Sequence, residues 1–394
     1  MVTNYVEVIT LQFILIKNAL LINTEDKGVT KKNILISQGK IKKVSEEIDY
    51  DVSSTDVIDV QEKYVLPGLI DCHTHVGIIE EATGKIGVDN NETSDPVTPH
   101  MRGIDAIHPF DLAFQDAIKS GITTVMTGPG SNNAVGGLST AIKTYGKIID
   151  EMIIRNPVGL KIALGENPMS TYGKMNKAPV TRMATAALIR ELFMRTQDYM
   201  VQKENNKLKE RNIQLESVMP LLKGEISLRA HAHRADDIVT ACRIAEEFGI
   251  SKLVIEHGTE ANLVKEYLKE RKVPVAFGPM LTPRLKIELK KRDYTCALDL
   301  IEAGVKVALI TDHPYNLIDQ LRIVAALAIS EGLSEADAMK CITAYPAEIL
   351  ECHQRIGKME EGYDADLVVF DGRPFDINTK VFLTMIDGKI VYSR

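Results

Sequence analysis

An α/β protein is predicted: a (β/α)8 barrel of the TIM type, with a small β-sandwich beside it built from both termini. Short apolar runs separated by turn residues fill the stretch from Phe13 to Val65, the pattern of a small antiparallel sheet. The C-terminal stretch returns to that style in Ala365-Asp-Leu-Val-Val-Phe-Asp-Gly372 and in Met385-Ile-Asp-Gly-Lys-Ile-Val-Tyr392, whose Asp-Gly is a hairpin signal. Between them the rhythm changes to apolar strands, capped by glycine or a polar residue, that precede helical stretches.

Eight strands are expected in this middle region, over 69–75, 122–126, 139–143, 158–165, 226–231, 252–257, 273–277 and 305–310. Helices are expected over 111–119, 184–215, 236–247, 263–271, 321–330 and 334–343. Strands and helices interleaved over so long a region are what a closed barrel requires, and the competing architecture is an open doubly wound sheet. With 394 residues the chain exceeds what one core serves, roughly 250–300 residues. The expected division is a composite sandwich from 1–66 and 355–394 and a barrel over 67–354.

Composition excludes several classes of function. A net charge of −7 without a basic stripe argues against a nucleic-acid partner. The five cysteines show no CxxC spacing, which suits a reducing, cytoplasmic setting better than a disulfide framework. The apolar stretch from Val8 to Ile22 is interrupted by Gln12, Lys17 and Asn18, so it reads as strands and as neither signal peptide nor membrane span. The expected partner is a small-molecule substrate, with self-association into a homo-oligomer left open.

Six residues form the chemical signal: His73, His75, Glu166, His231, His257 and Asp312. Each lies at or just past the C-terminal end of a predicted strand, and in a barrel those ends converge on one mouth. His73 and His75, two apart on a strand, project to one side and can share an ion. A divalent cation held by three or four protein ligands lowers the pKa of its water from 15.7 to about 7, supplying hydroxide at neutral pH. Asp312 then acts as base and afterwards as acid toward the leaving nitrogen; its other reading is a helix N-cap.

The segments Pro67-Gly-Leu-Ile-Asp-Cys-His-Thr-His75, Ala230-His-Ala-His233, Ile255-Glu-His-Gly258 and Ile310-Thr-Asp-His313 resemble the amidohydrolase superfamily, within it the imidazolonepropionase-related and prolidase-like branch. The resemblance implies that His73 and His75 bind one metal and His231 and His257 a second. It also implies that Asp312 ligates the first metal and takes the proton of the attacking water. Two close metals need a bridging anion. The fourth strand offers Glu166, which needs no modification and lies at the strand end, and Lys161, which would have to be carboxylated and lies deeper; position favours Glu166. Zinc heads the expected metals, followed by iron, manganese and cobalt.

His233, two beyond His231, is expected on the pocket side in a catalytic role or as a hydrogen-bond support. Cys72 is expected in the core. Arg102, Tyr172 and Arg182, on the long loops after the first and fourth strands, are candidates to hold substrate, the arginines by a bidentate carboxylate grip. Residues 127–137 read as a turn-rich pocket wall. The favoured activity is hydrolysis of an amide, cyclic amide or dipeptide-like C–N bond. The alternatives are a mononuclear heterocyclic amine deaminase or imidazolonepropionase-like enzyme, and a catalytically silent scaffold. Imidazolonepropionase itself is disfavoured, because Glu166 at the end of the fourth strand hints at a second metal and His233 stands where those enzymes carry an acidic residue.

Overall fold

The computed structural model describes residues 13–22 and 28–394. The part of the early apolar stretch before Phe13 lies outside them. The N-terminal strands are β1 (Phe13–Ile22), β2 (Val29–Ser37), β3 (Lys40–Ser45), β4 (Thr55–Asp59) and β5 (Tyr64–Pro67). The barrel strands follow as β6 (Leu69–Thr74), β7 (Ile122–Thr127), β8 (Val135–Lys143), β9 (Ile153–Ala163), β10 (Ser227–Ala232), β11 (Leu253–His257), β12 (Val275–Phe277) and β13 (Val307–Leu309). The last three are β14 (Leu367–Phe370), β15 (Val381–Ile386) and β16 (Lys389–Ser393).

Both termini build one hydrogen-bonded sheet in the order β16-β15-β14-β5-β1-β2-β3, with β4 also on β1. Alternation along β14 explains how this sheet serves two cores. Leu367 and Val369 pack with Ile16, Ile34 and Met385, whereas Val368 and Phe370 turn to the barrel cluster. Gly121, just before β7, sits under Val368, where a Cβ would lie 2.5 Å from its side chain.

The second sheet runs in chain order from β6 to β13. Its ends are joined by backbone hydrogen bonds, His75 N to His313 O at 2.9 Å and Asp312 N to His73 O at 3.2 Å. The eight expected strands are all present, with one departure. β8 runs antiparallel to both β7 and β9, because residues 128–134 connect β7 to β8 without a helix. The reversal puts this link at the mouth, where Gly130, Ser131 and Asn132 form the expected wall.

The single helix expected over 184–215 is two, Arg182–Glu204 and Ile213–Leu222. The break falls where Asn206 takes a positive φ of 55° and the Asn212 side chain caps the second helix through Leu215 N. Among the described residues no helix is long and apolar enough to cross a membrane. All five cysteines are buried and unpaired, and burial pushes the Cys72 thiol up to about 12, which leaves it inert as a nucleophile.

A buried ionic cluster ties the terminal sheet to the barrel. Lys143, at the end of β8, pairs with Asp366, with Asp364 at 3.0 Å and with Asp387 at 3.2 Å. Asp364 also holds Lys40 and, at 3.0 Å, Arg355. Lys143→Met leaves Asp366 buried without its cation, while Asp364 keeps two others. The expected loss is about 3 kcal/mol, read by urea denaturation; an unchanged midpoint would mean that the cluster does not hold the two parts together.

Candidate active site

Alternation sets the depth of each group inside the barrel. On β11, Val254 packs into an apolar floor with Ala276 and Ala308, so Glu256, two residues on, points into the barrel above it. Lys161 and Arg229 are partners in the β9–β10 register and reach the same level. Glu256 accepts from Arg229 Nε at 2.8 Å and pairs with the Lys161 ammonium. Its Oε1 lies 3.0 Å from His73 Nδ1. Burial would raise the Glu256 carboxyl, but His73, Lys161 and Arg229 outweigh it and hold the group well below the usual carboxylate range.

The next level up holds the histidines and Asp312. His73 Nε2 is 3.2 Å and His75 Nε2 3.5 Å from Asp312 Oδ1. His75 Nδ1 faces Gly128 O at 2.8 Å and His257 Nδ1 faces Gly278 O at 2.9 Å. A carbonyl only accepts, so both imidazoles donate from Nδ1 and keep the Nε2 lone pair free. His257 and Asp312 adopt positive φ, 74° and 56°, a conformation that side chains other than glycine reach only under local strain. His231 and His257 rings lie 4.4 Å apart, and His233 stacks on His257 at 4.8 Å.

Among the described residues, donor atoms fall into two groups that each fit within 4.8 Å, His73 with His257 and Asp312, and His231 with His233 and His257. The resemblance implied the pairs His73–His75 and His231–His257; here His257 is common to both groups and His233 joins one. Burial pushes His231 and His233 well below the ordinary histidine range, and the proximity of His257 and the Lys286 ammonium, beside which a second positive charge is disfavoured, acts in the same direction. Burial likewise takes His257 down to about 3. These rings are therefore neutral donors at neutral pH. Burial would raise the Asp312 carboxyl, yet His257, His73 and His75 hold it well below its usual range, so it is ionised.

These groups line a cavity of about 430 Å³ at the mouth, with Asn90, Asn91 and Ser131 on one side and Asn167, Lys286 and Tyr315 on another. Lys161 reaches this cavity and Glu166 does not. Glu166 is the first residue of the helix Glu166–Gly173, and its N–H donates to Glu288 Oε1 at 2.6 Å. The chain has already turned away from the barrel axis at Gly165, whose φ is 84°. Lys161 starts lower, two residues below the level of His231, but its long side chain spans the difference.

The three substrate-holding candidates also lie outside the cavity lining. Tyr172 is fully buried, donating to Asp95 O at 2.7 Å, with Asn133 Oδ1 3.0 Å away. Arg182 is spent on Asp237 at 3.1 Å, and Arg102 is exposed with Asp105 3.6 Å away. Tyr172→Phe should therefore cost about 1–2 kcal/mol of stability and leave KM unchanged in steady-state assays; a raised KM at unaltered stability would restore Tyr172 to substrate binding. Sequence reading overlooked Glu256, Arg229 and Lys286. Only Glu256 carried a signal, its place beside His257.

The residues fit a divalent cation. His73 Nδ1 and Nε2, His231 Nδ1 and Asp312 Oδ1 are buried with no hydrogen bond of acceptable geometry, an arrangement that buried polar atoms rarely show without a further partner. Imidazole and carboxylate donors suit zinc, iron, manganese or cobalt.

Residues 64–391 match the amidohydrolase family. An amidohydrolase from Thermotoga maritima MSB8 of known structure is 43% identical over 97% of this chain and 100% of its own, with a TM-score of 0.94. The amidohydrolase tasK of Hapsidospora irregularis is 25% identical over 90% of this chain, which spans only 39% of that protein. An imidazolonepropionase from Treponema denticola is 22% identical over 92% of each chain. With its barrel, its mouth of histidines and Asp312, and this match over most of its length, the chain belongs to the amidohydrolase family of enzymes acting on carbon–nitrogen bonds.

Proposed function

We propose that this chain is a metal-dependent hydrolase of an amide, cyclic amide or dipeptide-like C–N bond, with Asp312 as general base and acid. The observation that carries the reading is the convergence of His73, His75, Lys161, His231, His257 and Asp312 on one cavity. His73, His75 and Asp312 would hold one divalent cation, and His231 with His257 a second. Such ions, when bound, supply Lewis acidity and acidify water.

This chain's own residues do the rest. Asp312, ionised and facing three imidazoles, accepts a proton from water at Oδ and delivers it to the leaving nitrogen. His233, its Nδ1 2.7 Å from Thr259 Oγ1, presents its other ring nitrogen to the cavity as a hydrogen-bond partner for substrate. Lys161 replaces Glu166 as the bridge in this reading. As an ammonium it cannot ligate, so bridging requires the carboxylated form.

A specific observation favours the mononuclear deaminase or imidazolonepropionase-like alternative: the Lys161 ammonium is already satisfied by Glu256. A silent scaffold has no such support, since the donor set is complete. Chelator treatment should lower hydrolysis of an amide panel at least about 100-fold, and zinc should restore it. Amine release marks the amidase and ammonia release from ring amines the deaminase; turnover indifferent to chelation would overturn both.

A further inference from the structure

The barrel closes at a seam between its first and last strands, and His73 and Asp312 face each other across that seam. β6 and β13 stand at opposite ends of the sheet order. Besides the backbone hydrogen bonds that join these ends, the side chain of Asp71 crosses from one to the other. Asp71 lies on β6 and is fully buried. Its Oδ1 accepts from His73 N at 3.1 Å, and its Oδ2 accepts from Thr311 N at 2.9 Å and from Thr311 Oγ1 at 2.6 Å. One carboxylate therefore holds the backbone of His73 and that of the residue before Asp312.

The Thr311 hydroxyl carries this contact past Asp312. Its Oγ1 accepts from His313 N at 3.2 Å; an N–H only donates, so the hydroxyl proton goes to Asp71. The residues on both sides of Asp312 are thus tied to one buried hydroxyl, while Asp312 N donates to His73 O at 3.2 Å. The bracket falls where the backbone needs it. Asp312 holds φ at 56°, a conformation that an aspartate keeps only where its surroundings impose it. Tyr315 N, donating to Asp312 O at 2.9 Å, closes the turn behind it. We infer that Thr311, bridging Asp71 to His313 N through its hydroxyl, is a positioning residue that holds the Asp312 carboxylate toward His73 and a bound cation. This rests on the reading of Asp312 as metal ligand and proton carrier.

The probe is cobalt(II), exchanged into the full-length protein and followed by its visible absorption while a chelator is added. Thr311→Val keeps the shape of the side chain without the hydroxyl. It should lower the chelator concentration that strips half the cobalt about 10-fold, a usual effect for groups that orient a metal ligand. On amide substrates it should lower kcat about 10-fold to 100-fold and leave KM within about 2-fold, the mark of an interaction made only in the transition state. Thr311→Ser, which keeps the hydroxyl, should restore both. In an Asp312→Asn protein the further change Thr311→Val should cost less than about 2-fold in kcat, because no carboxylate is left to position. Where the valine protein does not fold, Asp71→Asn, which leaves one acceptor oxygen for the same donors, should weaken cobalt retention in the same direction. Wild-type cobalt retention in Thr311→Val, with or without a loss of stability on heating, overturns the inference, as does an undiminished effect of Thr311→Val beside Asp312→Asn. Absence of amide hydrolysis by the unsubstituted protein would sink the hydrolase reading alone, since cobalt retention still decides the role of Thr311.

Discussion

Asp312→Asn should lower turnover about 1,000-fold, within the range that general acid–base groups contribute, while metal content falls little. The asparagine is close in size and retains an oxygen, so the contacts to His73 and His75, at 3.2 and 3.5 Å from Oδ1, keep an acceptor. What disappears is the site for the travelling proton. The contrast is His231→Ala, which removes a ring packed 4.4 Å from His257 and should lower metal content itself. Full activity in Asp312→Asn would mean that another group handles the proton, and among the described residues no other that lines the cavity is a carboxylate.

Glu256→Ala should destabilise the fold by about 5 kcal/mol, the upper end of what breaking a buried ion pair costs. Glu256 and Arg229 are both fully buried, and among the described residues Arg229 pairs with no other anion, its further partner being Cys72 O at 2.8 Å. The substitution also strips His73 of the oxygen 3.0 Å from Nδ1. Thermal and urea unfolding read the stability; Glu256→Gln, which keeps the shape without the charge, should fall between. A shift below about 1 kcal/mol, the size of one ordinary hydrogen bond, would show that Glu256 is not electrostatically coupled to Arg229 and His73.

The fold was legible because strand and helix periods leave different marks, and the strands of the barrel fall where the apolar runs lie. The reversal of β8 was not, because periodicity carries no direction and only the missing helix after β7 hinted at it. That His73, His75, His231, His257 and Asp312 converge on one cavity was legible from their places at or just past predicted strand ends. Glu166 lies near a strand end yet outside the cavity lining, because Gly165 turns the chain into a helix first. Lys161 reaches the cavity from two residues lower because its side chain is long, which a count of residues along the strand does not show. The arginines and Tyr172 were read by chemistry, whereas their partners, Asp237, Asp105 and Asn133, come from distant parts of the chain.

The measurement that bears most directly on the proposed centre is the metal-to-protein ratio of chain purified without chelator, compared with Lys161→Ala and Glu166→Gln. About two ions per chain are expected for a pair of cations sharing one bridge, falling in Lys161→Ala and unchanged in Glu166→Gln. One ion per chain, indifferent to both substitutions, would contradict the bridged pair and leave the mononuclear site in its place.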